Sequence, residues 1–251
     1  MCTAVFLRRP GHQWPIIVGA NRDEMENRPR QPPGRHWDGQ QDVVAGLDEF
    51  GGGSWLGMND FGVLAGVLNR KDSLGPDPTL RSRGELVLEA LGHANAVDAA
   101  NALADLSPTA WRSFNLFVAD NRDAYWLRSL GAGANRVELY QIPEGLSILT
   151  AWDLNAPQSF RTRYFRPKFE AAEAPDPSSD KWATWKNLLC SKQFEPGSGP
   201  SEAMRVVSDR GFGTLSSSLI ALKSSTESDL DNIWLFSDMS SGTIKYDKVQ
   251  I

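Results

Sequence analysis

The sequence predicts an α+β protein in which antiparallel sheets lie sandwiched between layers of helix. Three observations carry that reading. Apolar runs of strand length recur with only short turn signals between them, and parallel neighbours would need crossovers of about a dozen residues or more. Two blocks of helical periodicity interrupt the strands, giving the order strands, helices, strands, helices, strands. A hydrophobic fraction of 41% over 251 residues supplies enough apolar surface for a large core, and no low-complexity linker or internal repeat divides the chain. A single domain over residues 1–251 is expected.

The chain opens with Met1-Cys2-Thr3-Ala4-Val5-Phe6-Leu7, an apolar run short enough for a buried strand. Val18-Gly19-Ala20-Asn21-Arg22-Asp23-Glu24 is a second strand running into charge, and Pro10-Gly11-His12 reads as the turn between them. Pairing as a hairpin puts Cys2 within reach of Asn21 to Glu24. Residues 27–39, dense in Pro, Arg and Gly, read as a stiff loop carrying Arg28, Arg30, Arg35, His36 and Trp37. A short strand is expected at Val43–Gly46. A second hairpin, Ser54–Met58 with Gly62–Asn69, turns at Asn59-Asp60. Gly51-Gly52-Gly53 fits neither the dinucleotide nor the P-loop pattern, which argues against a phosphate cradle.

Helices are expected over 80–91 and, from a cap at Asn95, over 95–106 until Ser107-Pro108 stops them. Strands then return at 114–119, 124–130, 137–142 and 146–151, read as four antiparallel neighbours. Helices over 161–172 and 179–190 follow, with Cys190 as a buried thiol at the end of the second. A short helix over 202–207 and closing strands at 215–222 and 233–236 complete the series.

A net charge of −5 gives no support for nucleic-acid binding. The charge is unevenly spread, however: residues 1–37 hold six Arg against Asp23, Glu24 and Glu26. That bias either favours a small anionic ligand or forms an ordinary solvated rim. No apolar run approaches the roughly 18 residues that span a bilayer, so no stable membrane insertion is expected. Arg8-Arg9 follow the first apolar run rather than precede it, unlike a secretory signal. Two cysteines give no disulfide framework, and a cytoplasmic location is the expectation.

Met1-Cys2-Thr3, Ala20-Asn21-Arg22-Asp23-Glu24, Gly52-Gly53-Ser54-Trp55-Leu56-Gly57, Phe114-Asn115-Leu116 and Gly213-Thr214-Leu215-Ser216-Ser217-Ser218 together resemble the NRDE family, also called the transport and Golgi organisation family. The likeness runs over essentially the whole chain. It implies a four-layer αββα sandwich of the N-terminal-nucleophile hydrolase type and the role in haem trafficking proposed for that family. A more distant likeness is to the cholylglycine and penicillin-V hydrolases, which also begin Met-Cys-Thr. Gly19, Asn21 and Asp23 match their second-strand motif, but Ala20 stands where they carry Arg. Gly57-Met58-Asn59 through Leu68-Asn69 also matches, which makes Asn69 a candidate oxyanion donor. Their later substrate-side Asn would fall near Ala151 or Trp152 and their final Arg near Leu219; neither is present. The hydrolytic set is therefore incomplete, and whether the chain is an enzyme stays open.

Two chemistries are expected of these residues. If Met1 is removed, Cys2 carries a thiol with a pKa near 8.5 and an amine near 8, so one residue can supply nucleophile and base. Asp23 would orient the ammonium, while Asn21 and Asn69 would donate to an oxyanion. The favoured expectation, which rests on the family resemblance, is carriage of a hydrophobic anion, haem foremost, with no cofactor required and no resident metal; the amidohydrolase is its alternative. Haem calls for an apolar slot, axial donors and cations for its propionates. Cys2, His12, Met25, His36 and Met58 are candidate donors, Arg22, Arg28, Arg30 and Arg35 candidate cations, and Trp55 a candidate wall. No Cys-x-x-Cys-His is present, which excludes covalent attachment through that motif. A scaffold without chemistry, acting by interaction alone, is the third reading. The ligand is an acyl compound in the first reading and haem in the second, and the protein donor or acceptor is left open.

Overall fold

The first hairpin forms as expected: β1 (Thr3–Arg8) pairs antiparallel with β2 (Ile16–Met25), Thr3 facing Asn21 and Arg8 facing Ile16. The computed structural model describes residues 2–240 and 242–251. They fold as two compact units, one of Met1–Asn27 with Pro143–Val249, the other of Arg28–Ile142 with Gln250–Ile251.

The first unit is a six-stranded antiparallel sheet in the order β10-β1-β2-β11-β12-β13. Its later strands are β10 (Gly145–Leu149), β11 (Phe212–Leu222), β12 (Ile233–Asp238) and β13 (Asp247–Lys248). Thr3 to Phe6 are all buried, which explains why β1 reads as a continuous apolar run rather than an alternating one. The strand at 146–151 was expected beside the strand at 137–142; instead β10 pairs with β1, Ala4 facing Leu149. Pro143 follows Ile142, where the chain passes between the two units.

Helices α3 (Phe160–Ala171) and α4 (Ala183–Leu189) cover this sheet. Phe165, Phe169, Trp182, Trp185 and Leu189 pack with Val5, Ile17, Leu219 and Ala221 into one buried cluster. Gly19 lets α4 sit close, since a Cβ there would lie 3.1 Å from Leu189 Cδ1 and 3.2 Å from Trp185 Cε3. The helix expected from Ser179 starts later. Residues 177–179 form a 3-10 turn and Asp180 takes left-handed backbone at φ 53°, which ends it. The helix expected over 202–207 is also shorter, a 3-10 turn at Pro200–Glu202. Val206 beyond it instead bonds Thr214 both ways: Val206 N donates to Thr214 Oγ1, and Thr214 N donates to the Val206 carbonyl.

The second unit is a seven-stranded antiparallel sheet, β3-β4-β5-β6-β7-β8-β9. The strands are β3 (Arg30–Gly34), β4 (Val43–Asp48), β5 (Leu56–Asn59), β6 (Leu64–Asn69), β7 (Phe114–Ala119), β8 (Ala124–Ser129) and β9 (Glu138–Gln141). β3 was expected to be loop. It is an edge strand with a register shift between Gln31 and Gly34, and an edge tolerates Pro32 and Pro33 because their missing N–H groups leave no ladder bond unmade. Helices α1 (Gly84–Leu91) and α2 (Ala96–Ala104) bury Leu86, Val87, Leu91, Ala100 and Leu103 against Val43, Val63, Leu116 and Leu127. Asn95 caps α2 as expected, its side chain accepting from Asp98 N at 2.8 Å. Asn59 ties the β5–β6 turn to the end of α1: its amide donates to the Leu91 and His93 carbonyls, and its oxygen accepts from Phe61 N and Val63 N.

The glycine run has a packing explanation. A Cβ on Gly53 would run into the Gly84 carbonyl carbon and lie 2.7 Å from its oxygen and 2.8 Å from Glu85 N, all main-chain atoms that begin α1. Gly53→Ala should therefore destabilise the protein by about 1–3 kcal/mol, read as a lower urea midpoint at unchanged m-value. A midpoint equal to that of the parent would show that the approach is not tight.

Candidate active site

The site forms in the first unit, at the end of the sheet where β1 begins and β2 finishes. Cys2 is partly buried, and its Sγ donates to the Asp23 carbonyl oxygen at 3.6 Å. Burial pushes the Cys2 thiol above its ordinary pKa, and the Asp23 carboxylate pushes the same way. The amino-terminal charge, a backbone hydrogen bond at Asp23 and the Arg22 charge pull in the opposite direction without prevailing. The resting sulfur is a protonated thiol, so it needs a base before it can attack.

Asp23 is buried at the centre of a polar knot. Thr214 Oγ1 donates to its Oδ1 at 2.6 Å, and Arg161 Nη1 meets its Oδ2 at 3.1 Å. The same Nη1 donates to Thr3 Oγ1 at 2.6 Å, and Nη2 donates to the Ser201 carbonyl at 2.9 Å. A β-bulge in β11 between Thr214 and Ser216 sets Thr214 opposite Asp23 and Ser216 opposite Arg22. Arg22 is buried and lies 3.9 Å from Glu24. Arg161, from α3, is a cation paired with the Asp23 carboxylate.

Asn21 departs from its expected role. Its amide nitrogen donates to the Leu189 carbonyl and the Met204 carbonyl, each at 2.9 Å. Both amide protons are committed, so Asn21 ties β2 to α4 and to the segment after Glu202, and it has no proton left for an oxyanion.

The remaining candidates lie in the second unit. Asn69 ends β6, half-buried and opposite Phe114. Arg28 pairs with Asp48 at 2.8 Å and Arg35 with Asp60 at 2.7 Å, while Arg30 Nη1 donates to the Arg28 carbonyl at 3.5 Å. His36 Nε2 donates to the Pro32 carbonyl at 2.9 Å. Met58 is fully buried, and Trp55 is half-buried with its ring against Gly46. Of the other haem-donor candidates, Met25 is exposed and His12 Nδ1 accepts from Trp14 N. Thus Cys2, Asn21, Asp23 and Arg22 come together on β1 and β2. Removal of Met1, on which a free Cys2 amine depends, lies outside the described residues.

Sequence reading missed Arg161. Its only local signal was adverse: it is a cation in the first turn of α3, where Ser159 caps the helix and no acidic residue accompanies it. No described helix is long and apolar enough to cross a membrane, and no described group of three His, Cys, Asp or Glu could hold a metal ion.

Comparison with known proteins is consistent with this arrangement. The family model described as Transport and Golgi organisation 2 matches residues 1–229. No curated protein matches the sequence significantly. Among solved structures, a Caenorhabditis elegans N-acylethanolamine-hydrolyzing acid amidase ortholog is similar at TM-score 0.57 and 13% identity, covering 87% of this chain and 92% of its own. Penicillin V acylase from Agrobacterium tumefaciens has TM-score 0.57 at 12% identity, covering 100% and 86%. The C2A mutant of conjugated bile acid hydrolase from Clostridium perfringens has TM-score 0.51 at 11% identity, covering 100% and 97%. At these identities the likeness shows the fold alone, which is that of the N-terminal-nucleophile hydrolases.

Proposed function

We propose, from the premise that this chain belongs to the Transport and Golgi organisation 2 family, that it is a cytoplasmic N-terminal-cysteine amidohydrolase acting on a small acyl-amide. The observation that carries this reading is the Cys2 thiol, held at the mouth of β1 by the Asp23 carbonyl at 3.6 Å. With Met1 removed, the Cys2 amine takes the thiol proton and the sulfur attacks the acyl carbonyl. The substrate's amine leaves, taking that proton back from the Cys2 ammonium as a thioester forms, and water then cleaves the thioester, releasing the acid and restoring the thiol. Met25, 41% exposed where the end of β2 pairs with Phe212 of β11, offers apolar surface to an acyl chain. That structures sharing the fold include an amidase, an acylase and a bile acid hydrolase supports a substrate with an acyl group.

A second reading, carriage of a hydrophobic anion such as haem, is favoured by one observation. Both Asn21 amide protons are committed, so of the two expected oxyanion donors, Asn21 and Asn69, the one on β2 is lost. Losing one such donor costs a hydrolase roughly 10²–10³-fold in rate. A site so depleted suits holding a ligand better than cleaving it.

One experiment separates the two readings. An acyl electrophile should leave a stable mass adduct on Cys2, absent in Cys2→Ala, and an acyl-amide panel should be turned over. Haemin titration without adduct or turnover, with a Soret shift that weakens in His36→Ala or Arg35→Ala, would replace the hydrolase with the carrier. Neither response would leave an interaction scaffold.

A further inference from the structure

We propose that Arg161 is a positioning residue for Cys2, its guanidinium fixing the two residues that hold the thiol. The inference rests on the amidohydrolase reading only in calling that sulfur a nucleophile; the geometry and the test are independent of any substrate. One guanidinium reaches three segments: Thr3 beside Cys2 on β1, Asp23 on β2, and Ser201 before the 3-10 turn ends. Thr3 is the next residue after the sulfur. Asp23 supplies the carbonyl that receives the thiol and the carboxylate that raises its pKa. Arg161 therefore sets the place of the Cys2 backbone and neutralises the nearest anion in a single contact set.

Helix stability does not account for an Arg at this position. A cation in the first turn opposes the helix dipole, and the side chain is 1% exposed, so its own desolvation is also unfavourable. The Asp23 pair and the neutral acceptors offset both penalties. A planar fork meets separate acceptors in fixed directions, which a lysine cannot reproduce. The position that the distant hydrolase likeness fills with an Arg on the second strand is Ala20 here. Arg161 brings a guanidinium to the same strand end from α3 instead.

The test reads the pH dependence of alkylation of the full chain by iodoacetamide, with each cysteine followed by peptide mass. The charged groups facing the sulfur are Asp23 and Arg22 from β2, the chain's amino terminus, and Arg161 acting through Asp23. In Arg161→Met the carboxylate loses its cation while keeping the Thr214 bond, so the Cys2 midpoint should rise by about one unit. At a fixed pH below the midpoint that is a tenfold slower reaction. Arg161→Lys should shift the midpoint the same way by less, and it decides the matter if Arg161→Met does not fold. In an Asp23→Asn background the Arg161 substitutions should leave the midpoint unmoved. Cys190, the other thiol, is the internal control and should react as in the parent.

An unmoved Cys2 midpoint in Arg161→Met, or in Arg161→Lys where that variant stands alone, overturns the proposal. So does a parallel change at Cys190, which would mean general loosening. Absence of acyl-amide turnover would count against the hydrolase reading and leave this result standing.

Discussion

Asp23→Ala should cost the protein about 3–5 kcal/mol of stability, the effect of leaving a buried charge without its partner. The Asp23 and Arg161 side chains are 0% and 1% exposed, so neither can turn to water when the other is removed. Without the carboxylate, the guanidinium loses the Asp23 ion pair, while its bonds to the Thr3 hydroxyl and the Ser201 carbonyl, both neutral, remain. Thr214 loses its 2.6 Å acceptor at the same time and keeps the longer bond to the Met204 carbonyl at 3.3 Å, a weaker hydrogen bond in a buried place. Urea denaturation at neutral pH gives the measurement. The double variant Asp23→Leu/Arg161→Met should recover most of the loss, because removing both charges removes the desolvation penalty with them. Equal damage in the single and double variants would mean that the knot acts through shape rather than charge.

This knot also marks where the sequence stops being legible. The β1–β2 hairpin could be read because its partners are close in the chain and each strand carries its own apolar run, whereas the register, Thr3 facing Asn21, came from the structure. The Asn95 cap and the turn at Asn59 were legible for the same reason, since their donors and acceptors lie on neighbouring residues or close by in the pattern. Cys2 stood out by position. Arg161 did not, because its partner is 138 residues away and neither local pattern announces the other. Asn21 looked like a free amide for a like reason: the carbonyls of Leu189 and Met204 that engage it are 168 and 183 residues distant. The strand at Gly145–Leu149 was recognised as a strand but given the wrong neighbour, since turn length cannot say when a chain leaves one sheet for another. Thr214 sits in a segment that carried the family likeness, and the bulge beside it gives that segment a physical reason to exist. Local order was therefore readable from period and turn chemistry, whereas the site's polar partners required the fold.

An extension that keeps Cys2 in peptide linkage should lower acyl-amide turnover by about 10²–10⁴-fold, the usual contribution of a general base. Burial and Asp23 hold the Cys2 thiol above its ordinary pKa, so at neutral pH almost all of it is protonated and another group must take the proton. Arg22 is a cation and offers no base. The Asp23 carboxylate already faces Arg161 and Thr214, with its carbonyl rather than its side chain toward the sulfur. That leaves the Cys2 amine, with an ordinary pKa near 8, as the group matched to the task. In a Met-Cys amide the same nitrogen carries no basic lone pair, so an unprocessed chain should show that loss even with the site fully folded. The check is paired: intact mass fixes the processing state of each preparation, and turnover is measured on both. A carrier would behave differently, since haemin affinity has no need of a free amine and should be the same in both preparations. Equal turnover with and without the extension would remove the amine from the mechanism and would require a different base beside Cys2.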